Sequence, residues 1–403
     1  MNEDAVPPPL AGVTIIDLTS VLLGPFATLL LAQMGARVIK VESPEGDITR
    51  AIAPTKTPGL SALFMNCNRG KLSLALDLKD PRGLEALMRL VGGADVFFHS
   101  MRKGAAERLG IGEDAVRIHR SDIVYCGAWG FDQQGPYRDL PAYDDIVQAV
   151  SGIAHLLADE NGDPRYIPTV VVDKITGLYA ANAMLAALVG RQSTGRGATL
   201  EVPMLESITH FVMAEHLAAA TYQPPIGPPG YERILAASRR PYRTKDSHVA
   251  TLPYTTAHWT RLLRAIGRDD LAGADWVTSA SERSKRIGEL YDLLRDVAPE
   301  RTTAEWMELL RDIDIPAMPV SDLNDLLVND QLVASGMFEH YDHPSEGPLK
   351  GLRLPVRFAG TDMGPPPIAR ALGADTAEIL GQLGYGADEI DALAADGVAV
   401  LAA

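Results

Sequence analysis

Cysteine is scarce: the 403 residues contain two, Cys67 and Cys126. Two thiols make no disulfide framework and fit a reducing compartment. None of the nine histidines falls at the H-x-x-x-H or Cys/His spacing of a zinc site, so no metal is expected. His99, His155 and His210 read as packed or hydrogen-bonded structural residues. There is no P-loop and no G-x-S-x-G nucleophile elbow. Long apolar runs are missing too. Ile15 to Met34 carries Asp17 and breaks at Gly24-Pro25, and Leu178 to Gly190 is too short for a bilayer. Met1 to Pro9 is acidic and proline-rich, without the basic and apolar regions of a secretory leader. Basic charge is in deficit: 37 Lys and Arg against 52 Asp and Glu leave −15. Such a chain suits neither nucleic acid nor an anionic membrane, and any phosphate must be held by a local basic cluster. Together these absences predict a cytoplasmic protein.

What is present is globular: 46% hydrophobic and 22% charged residues, with length for two to three domains. Val13–Asp17 is a β-branched run, Phe26–Met34 is helical by composition, and Arg37–Glu42 alternates like a strand. This βαβ pattern predicts an α/β fold with an open parallel sheet. Further strands are expected at 72–76, 95–98, 123–128 and 198–202, with a helix over 81–91 and an apolar helix over 175–190. Tyr166–Val172 reads as extended. Tyr222–Tyr231 packs four prolines and two glycines into ten residues and marks a boundary. The expected domains are a large one from 1–222, a smaller α+β one from 223–330, and a return to the large one over 331–403. In the last part, Leu352–Phe358 reads as sheet and two short helices follow.

The first βα turn has one glycine, so the G-x-G-x-x-G needed for a pyrophosphate is absent. Glu42 then reads as a solvated strand-end acid. Asn68-Arg69-Gly70-Lys71 is one basic cluster; Met101-Arg102-Lys103-Gly104 with Arg108 is another. Either they form a phosphate site at loop positions of the sheet, or they are ordinary surface charge. Asp173 precedes the apolar helix. It is either a plain N-cap or a carboxylate that the helix N-terminus keeps ionised, as a nucleophile requires.

A set of stretches runs in one order along nearly the whole chain: Pro9–Thr19 with Gly24-Pro25, Gly35–Glu42, Asn68–Lys71, Arg108-Leu109-Gly110, Gly135-Pro136-Tyr137 and Ala142–Ala149. Asp173-x-x-x-Gly177, Thr194–Gly197 and Leu383-Gly384-Tyr385 complete it. In this order the chain resembles the class III CoA-transferases, of the formyl-CoA transferase and carnitine CoA-transferase type. The resemblance implies a Rossmann-like large domain, a small domain and an interlocked homodimer. It implies CoA transfer from an acyl-CoA to a carboxylic acid, with Asp173 as the covalent nucleophile and no permanently bound cofactor. By the same resemblance Ser20, Val21 and Leu23 line the first βα loop against CoA. Lys71 and Arg108 meet its phosphates, Leu72, Ser100 and Met101 surround its adenine, Tyr143 sits near the thioester, and Met204 packs on the cofactor.

Two departures stand out. Leu22 replaces a glutamine of formyl-CoA transferases and suits a larger, less charged acyl chain. The stretch 242–248 lacks the glycine-rich closing loop. Intramolecular CoA transfer within a dicarboxylic thioester, and an acyl-CoA racemase of the same fold, are the alternatives. Racemases carry a histidine where this chain has Tyr143, a weak base and good hydrogen-bond donor, and His155 lies twelve residues on.

Overall fold

The computed structural model describes residues 6–365 and 367–402; the leader reading at Met1–Pro9 falls partly outside them. The chain forms two compact units, residues 1–212 with 334–403, and residues 213–333. The boundary lies within a helix, ahead of the proline-rich stretch.

The first unit begins with β1 (Thr14–Leu18), α1 (Leu23–Gln33), β2 (Arg37–Glu42), α2 (Ala62–Asn68), β3 (Lys71–Leu76) and α3 (Pro81–Val91). It continues with β4 (Val96–His99), α4 (Lys103–Arg108), α5 (Glu113–His119) and β5 (Val124–Trp129). Then come α6 (Asp144–Val150), α7 (Ile153–Leu156), α8 (Val171–Thr194), β6 (Thr199–Pro203) and α9 (Met204–His216). Six strands run parallel in the order β3-β2-β1-β4-β5-β6, the doubly wound order that switches direction between β1 and β4.

Why both faces are covered follows from the strands. Side chains alternate across a strand, and here both sets are apolar. Ile16, Leu18, Ile39, Leu74 and Phe97 meet Leu87, Leu90 and Val91 of α3. Ile15, Val38, Val96, Phe98 and Cys126 meet Leu23, Ala27 and Leu31 of α1 and Ala180, Met184 and Leu188 of α8. A parallel sheet buried on both sides is the result.

The second unit holds an antiparallel sheet of β7 (Tyr242–Arg243), β8 (His248–Thr251) and β9 (Ala317–Pro319). Its helices pack Trp259, Leu262, Leu290, Tyr291 and Trp306 into a core of their own. Back in the first unit, β10 (Phe338–His343) and β11 (Gly347–Leu352) make a hairpin. The short β12 (Ala399–Val400) pairs antiparallel with β3 at the sheet edge.

Three sequence expectations change. Residues 353–358, read as sheet, carry no strand; the hairpin lies just before them. Tyr166–Val172 is not extended throughout, because α8 already starts at Val171. And α8 runs 24 residues, so by length and composition it is the one helix among the described residues long and apolar enough to cross a bilayer. Half of its apolar window is buried in the protein instead.

Candidate active site

Open α/β sheets bind ligands outside the carboxyl ends of their strands, where the strand order reverses. Here that crevice lies between the loop after β1 and the loop after β4. The Ser20 amide donates to Ser100 Oγ across it, at 3.3 Å. A cavity of about 250 Å³ opens there. Ser20, Val21, Leu23, Ser100, Tyr143, Asp173 and Met204 all line it, together with Arg102, Trp129 and Arg138. Seven residues proposed from sequence are thus brought together. Size alone does not select this site. A cavity of about 590 Å³ lies around Arg353 and Phe358, but its carboxylate, Glu339, is paired with Arg69 at 3.2 Å.

Asp173 sits in the first turn of α8, 8% exposed. It does not cap its own helix. Asp144, at the start of α6, does so through space: its Oδ1 accepts from the amides of Val172 (2.7 Å) and Asp173 (3.0 Å). Gln148 holds the other Asp144 oxygen at 2.6 Å, and its own carbonyl oxygen accepts from the Ile167 amide. The expectation that the helix N-terminus keeps Asp173 ionised therefore fails. Two of the amides that would favour its charge, those of Val172 and Asp173, are already taken. Burial, and then the Asp144 charge, push the Asp173 carboxyl up to about 7. Near neutral pH, this group divides between a carboxylic acid and a poorly stabilised, hence reactive, carboxylate.

Lys71 requires a correction. Its side chain and that of Asp17 are both 0% exposed and lie 3.1 Å apart. The Lys71 ammonium also donates to Pro25 O (2.9 Å) and Asn68 Oδ1 (2.8 Å). Three acceptors use all three donors, so none is left for a phosphate. Burial lowers its pKa to about 8, with the attraction of Asp17 opposing. Lys71→Met is expected to destabilise the fold by about 3 kcal/mol or more, because Asp17 then loses a buried partner. A urea titration checks this. Unchanged stability with salt-sensitive loss of CoA affinity would restore the phosphate role.

Other expectations also move. Leu72 packs on the core and lines a separate cavity with Gly70 and Arg370. Met101 packs on the same core and accepts from Trp129 Nε1 at 2.7 Å. Arg108 is exposed at the end of α4, outside the lining. Leu22 is buried and does not line the cavity, so the acyl-chain argument built on it lapses; Val21 occupies the wall instead. Glu42 is no solvated acid: it is buried and bound by Arg50 at 2.6 Å. Arg69 is likewise buried. His99 and His210 are hydrogen-bonded, to Tyr125 and Tyr179. His155, expected to be packed or hydrogen-bonded, is exposed on α7 and absent from the lining.

Sequence reasoning missed Arg138 and left Arg102 inside a basic cluster read as either a phosphate site or surface charge. The signal for Arg138 was its place directly after Gly135-Pro136-Tyr137. Among the described residues, no three His, Cys, Asp or Glu side chains converge as a metal site.

Known proteins resemble this chain over most of its length. Human succinyl-CoA:glutarate CoA-transferase is 31% identical over 381 residues, covering 92% of this chain and 85% of its own. Formyl-CoA:oxalate CoA-transferase of Streptomyces avermitilis is 30% identical, covering 96% and 99%. The crystal structure of Rv3272 from Mycobacterium tuberculosis superposes with a TM-score of 0.81 at 26% identity, covering 92% and 99%. A CaiB/BaiF family protein from Brucella suis gives 0.79 at 27% identity, covering 94% and 100%. The model of CoA-transferase family III matches residues 10–376. With a doubly wound sheet, a buried aspartate at its switch point and this match across nearly the whole length, the chain belongs to CoA-transferase family III, and it is an enzyme of that kind.

Proposed function

We propose that this enzyme moves CoA from an acyl-CoA to a free carboxylic acid, with Asp173 as the covalent carrier. The observation that carries the reading is the buried, poorly stabilised Asp173 carboxyl on the wall of the switch-point cavity. The Asp173 carboxylate attacks the thioester carbonyl, the C–S bond breaks, and CoA leaves as thiolate. The thiolate then attacks the Asp173 acyl carbon of the mixed anhydride. The donor's carboxylate departs and an aspartyl-CoA thioester remains. The acceptor carboxylate attacks that thioester, CoA thiolate leaves again, and its attack on the acceptor's acyl carbon releases the new acyl-CoA. Asp173 returns as carboxylate. Each tetrahedral oxyanion needs preorganised donors. The amide of Leu23, a lining residue at the start of α1 where helical N–H groups lack intrahelical acceptors, is our candidate donor.

A cavity of about 250 Å³ takes the thioester and part of the pantetheine arm. The nucleotide then lies outside it, and Arg102 and the exposed Arg108 at the two ends of α4 replace Lys71 as its phosphate partners. Tyr143, 69% exposed, donates a hydrogen bond rather than taking a proton.

Initial rates over a panel of acetyl-, succinyl-, glutaryl- and oxalyl-CoA donors with free acids test the reading. A covalent carrier gives parallel double-reciprocal lines, the ping-pong pattern. Intersecting lines for every active pair contradict it.

The homodimer belongs to the same proposal. The helix Leu323–Val328 buries none of its residues and leaves Leu323 82% and Val328 74% exposed. Apolar surface of this kind marks an interface. Sedimentation is expected to give a dimer that persists on dilution; a folded monomer at nanomolar concentration contradicts it.

A further inference from the structure

Val21 stands in the left-handed region, at φ +65°. A β-branched residue there is a genuine outlier and persists only where its surroundings hold it. What surrounds it is a buried ion pair. Lys40 and Asp47 have side chains 2% and 1% exposed and lie 3.0 Å apart. Lys40 Nζ donates to Thr19 O at 2.8 Å. Both Asp47 oxygens accept from the Val21 amide, at 3.3 and 3.4 Å. Asp47 is itself fixed by the Thr49 amide and hydroxyl, at 2.9 and 2.8 Å. The pair therefore grips the chain on both sides of Ser20, and Ser20, Val21 and Leu23 form one wall of the Asp173 cavity.

We propose that the Lys40–Asp47 pair is a positioning clamp, holding Val21 left-handed so that Ser20–Leu23 present the working wall of the acyl-transfer site. The proposal rests on the reading that this cavity holds the thioester. Neither residue lines the cavity or meets substrate. Without the clamp, Val21 relaxes toward negative φ and the wall turns away from Asp173. Small misplacements of this sort are costly to a reaction that depends on alignment. Glycine adopts positive φ without strain, so it removes the need for the clamp.

The test is a cycle of Asp47→Asn and Val21→Gly, with kcat measured on the fastest donor–acceptor pair of the panel and rates taken per folded protein. Asp47→Asn is expected to lower kcat at least tenfold with Val21 present, and less than threefold in the Val21→Gly background. An equal loss in both backgrounds, or no loss in either, overturns the clamp. Should Asp47→Asn not fold, the double variant Lys40→Met/Asp47→Asn removes both buried charges and enters the same cycle. A reading independent of activity separates this idea from the transfer mechanism. Val21→Gly should raise the urea midpoint of the otherwise native chain and leave that of the Lys40→Met/Asp47→Asn chain unchanged. Equal shifts in both overturn the clamp even if the enzyme proves to use another mechanism.

Discussion

Asp173→Asn is expected to lose CoA transfer by roughly six orders of magnitude, the scale on which losing a covalent nucleophile is felt, and to gain stability. An amide does not attack a thioester. The gain follows from linkage. In the folded chain, burial and Asp144 hold the Asp173 carboxyl at about 7, above its ordinary 3.8. Between those two values the folded state keeps a proton that the unfolded state has lost. Stability from this group is fully present below pH 3.8 and is lost as pH rises through about 7. At roughly 1.4 kcal/mol per pH unit, the native residue costs on the order of 4 kcal/mol above neutrality. Asn carries no such charge. Thermal melts should therefore place the variant above the native enzyme at pH 8 and level with it at pH 4. The native kcat/KM should rise with pH through about 7 as the carboxylate forms. A variant that melts lower at pH 8, or that keeps a tenth of the activity, contradicts this account of Asp173.

Gly177→Ala is expected to lower kcat about a hundredfold, the scale of a misplacement near 1 Å. Gly177 lies one turn beyond Asp173 on the same face of α8, where the helix crosses the start of α1. A Cβ at Gly177 would stand 2.7 Å from the Leu23 carbonyl oxygen. That neighbour is backbone and cannot swing aside. To accept the methyl, α8 must withdraw from α1, and Asp173 moves with it, away from the Ser20–Leu23 wall. In a free helix the same change stabilises by up to about 1 kcal/mol. Here overpacking, at about 1–3 kcal/mol, outweighs it. Steady-state rates and urea unfolding together decide the matter. A more stable, fully active Gly177→Ala would mean that the helix contact does not set the position of Asp173.

These two residues also show what the sequence could carry. The parallel sheet was legible because each central strand is a β-branched or apolar run between helical stretches. The two-residue β12 and the β10–β11 hairpin were not, since neither Ala399–Val400 nor the polar run Phe338–His343 has a strand's alternation. Within the site, Asp173 and the Ser20–Leu23 loop were legible through motif order. Lys71 was misread for a specific reason. Whether a lysine beside a glycine is a surface cation or a buried one depends on Asp17, 54 residues away. The acidity of Asp173 is set first by burial and then by Asp144, 29 residues away. Neither partnership leaves a local trace. Leu22 and Val21 differ only in which side of one strained turn they occupy, and the positive φ that sets this belongs to a residue type that rarely adopts it.

The most direct test of the covalent carrier is to catch it. The enzyme is incubated with a turned-over acyl-CoA donor without acceptor, treated with hydroxylamine, digested, and its peptides weighed. Hydroxylamine converts an activated aspartyl carbonyl to a hydroxamate, so the peptide containing Asp173 should gain that mass, and the Asp173→Asn protein should not. Active enzyme whose Asp173 peptide stays unmodified, or whose label falls on another carboxylate, contradicts the mechanism.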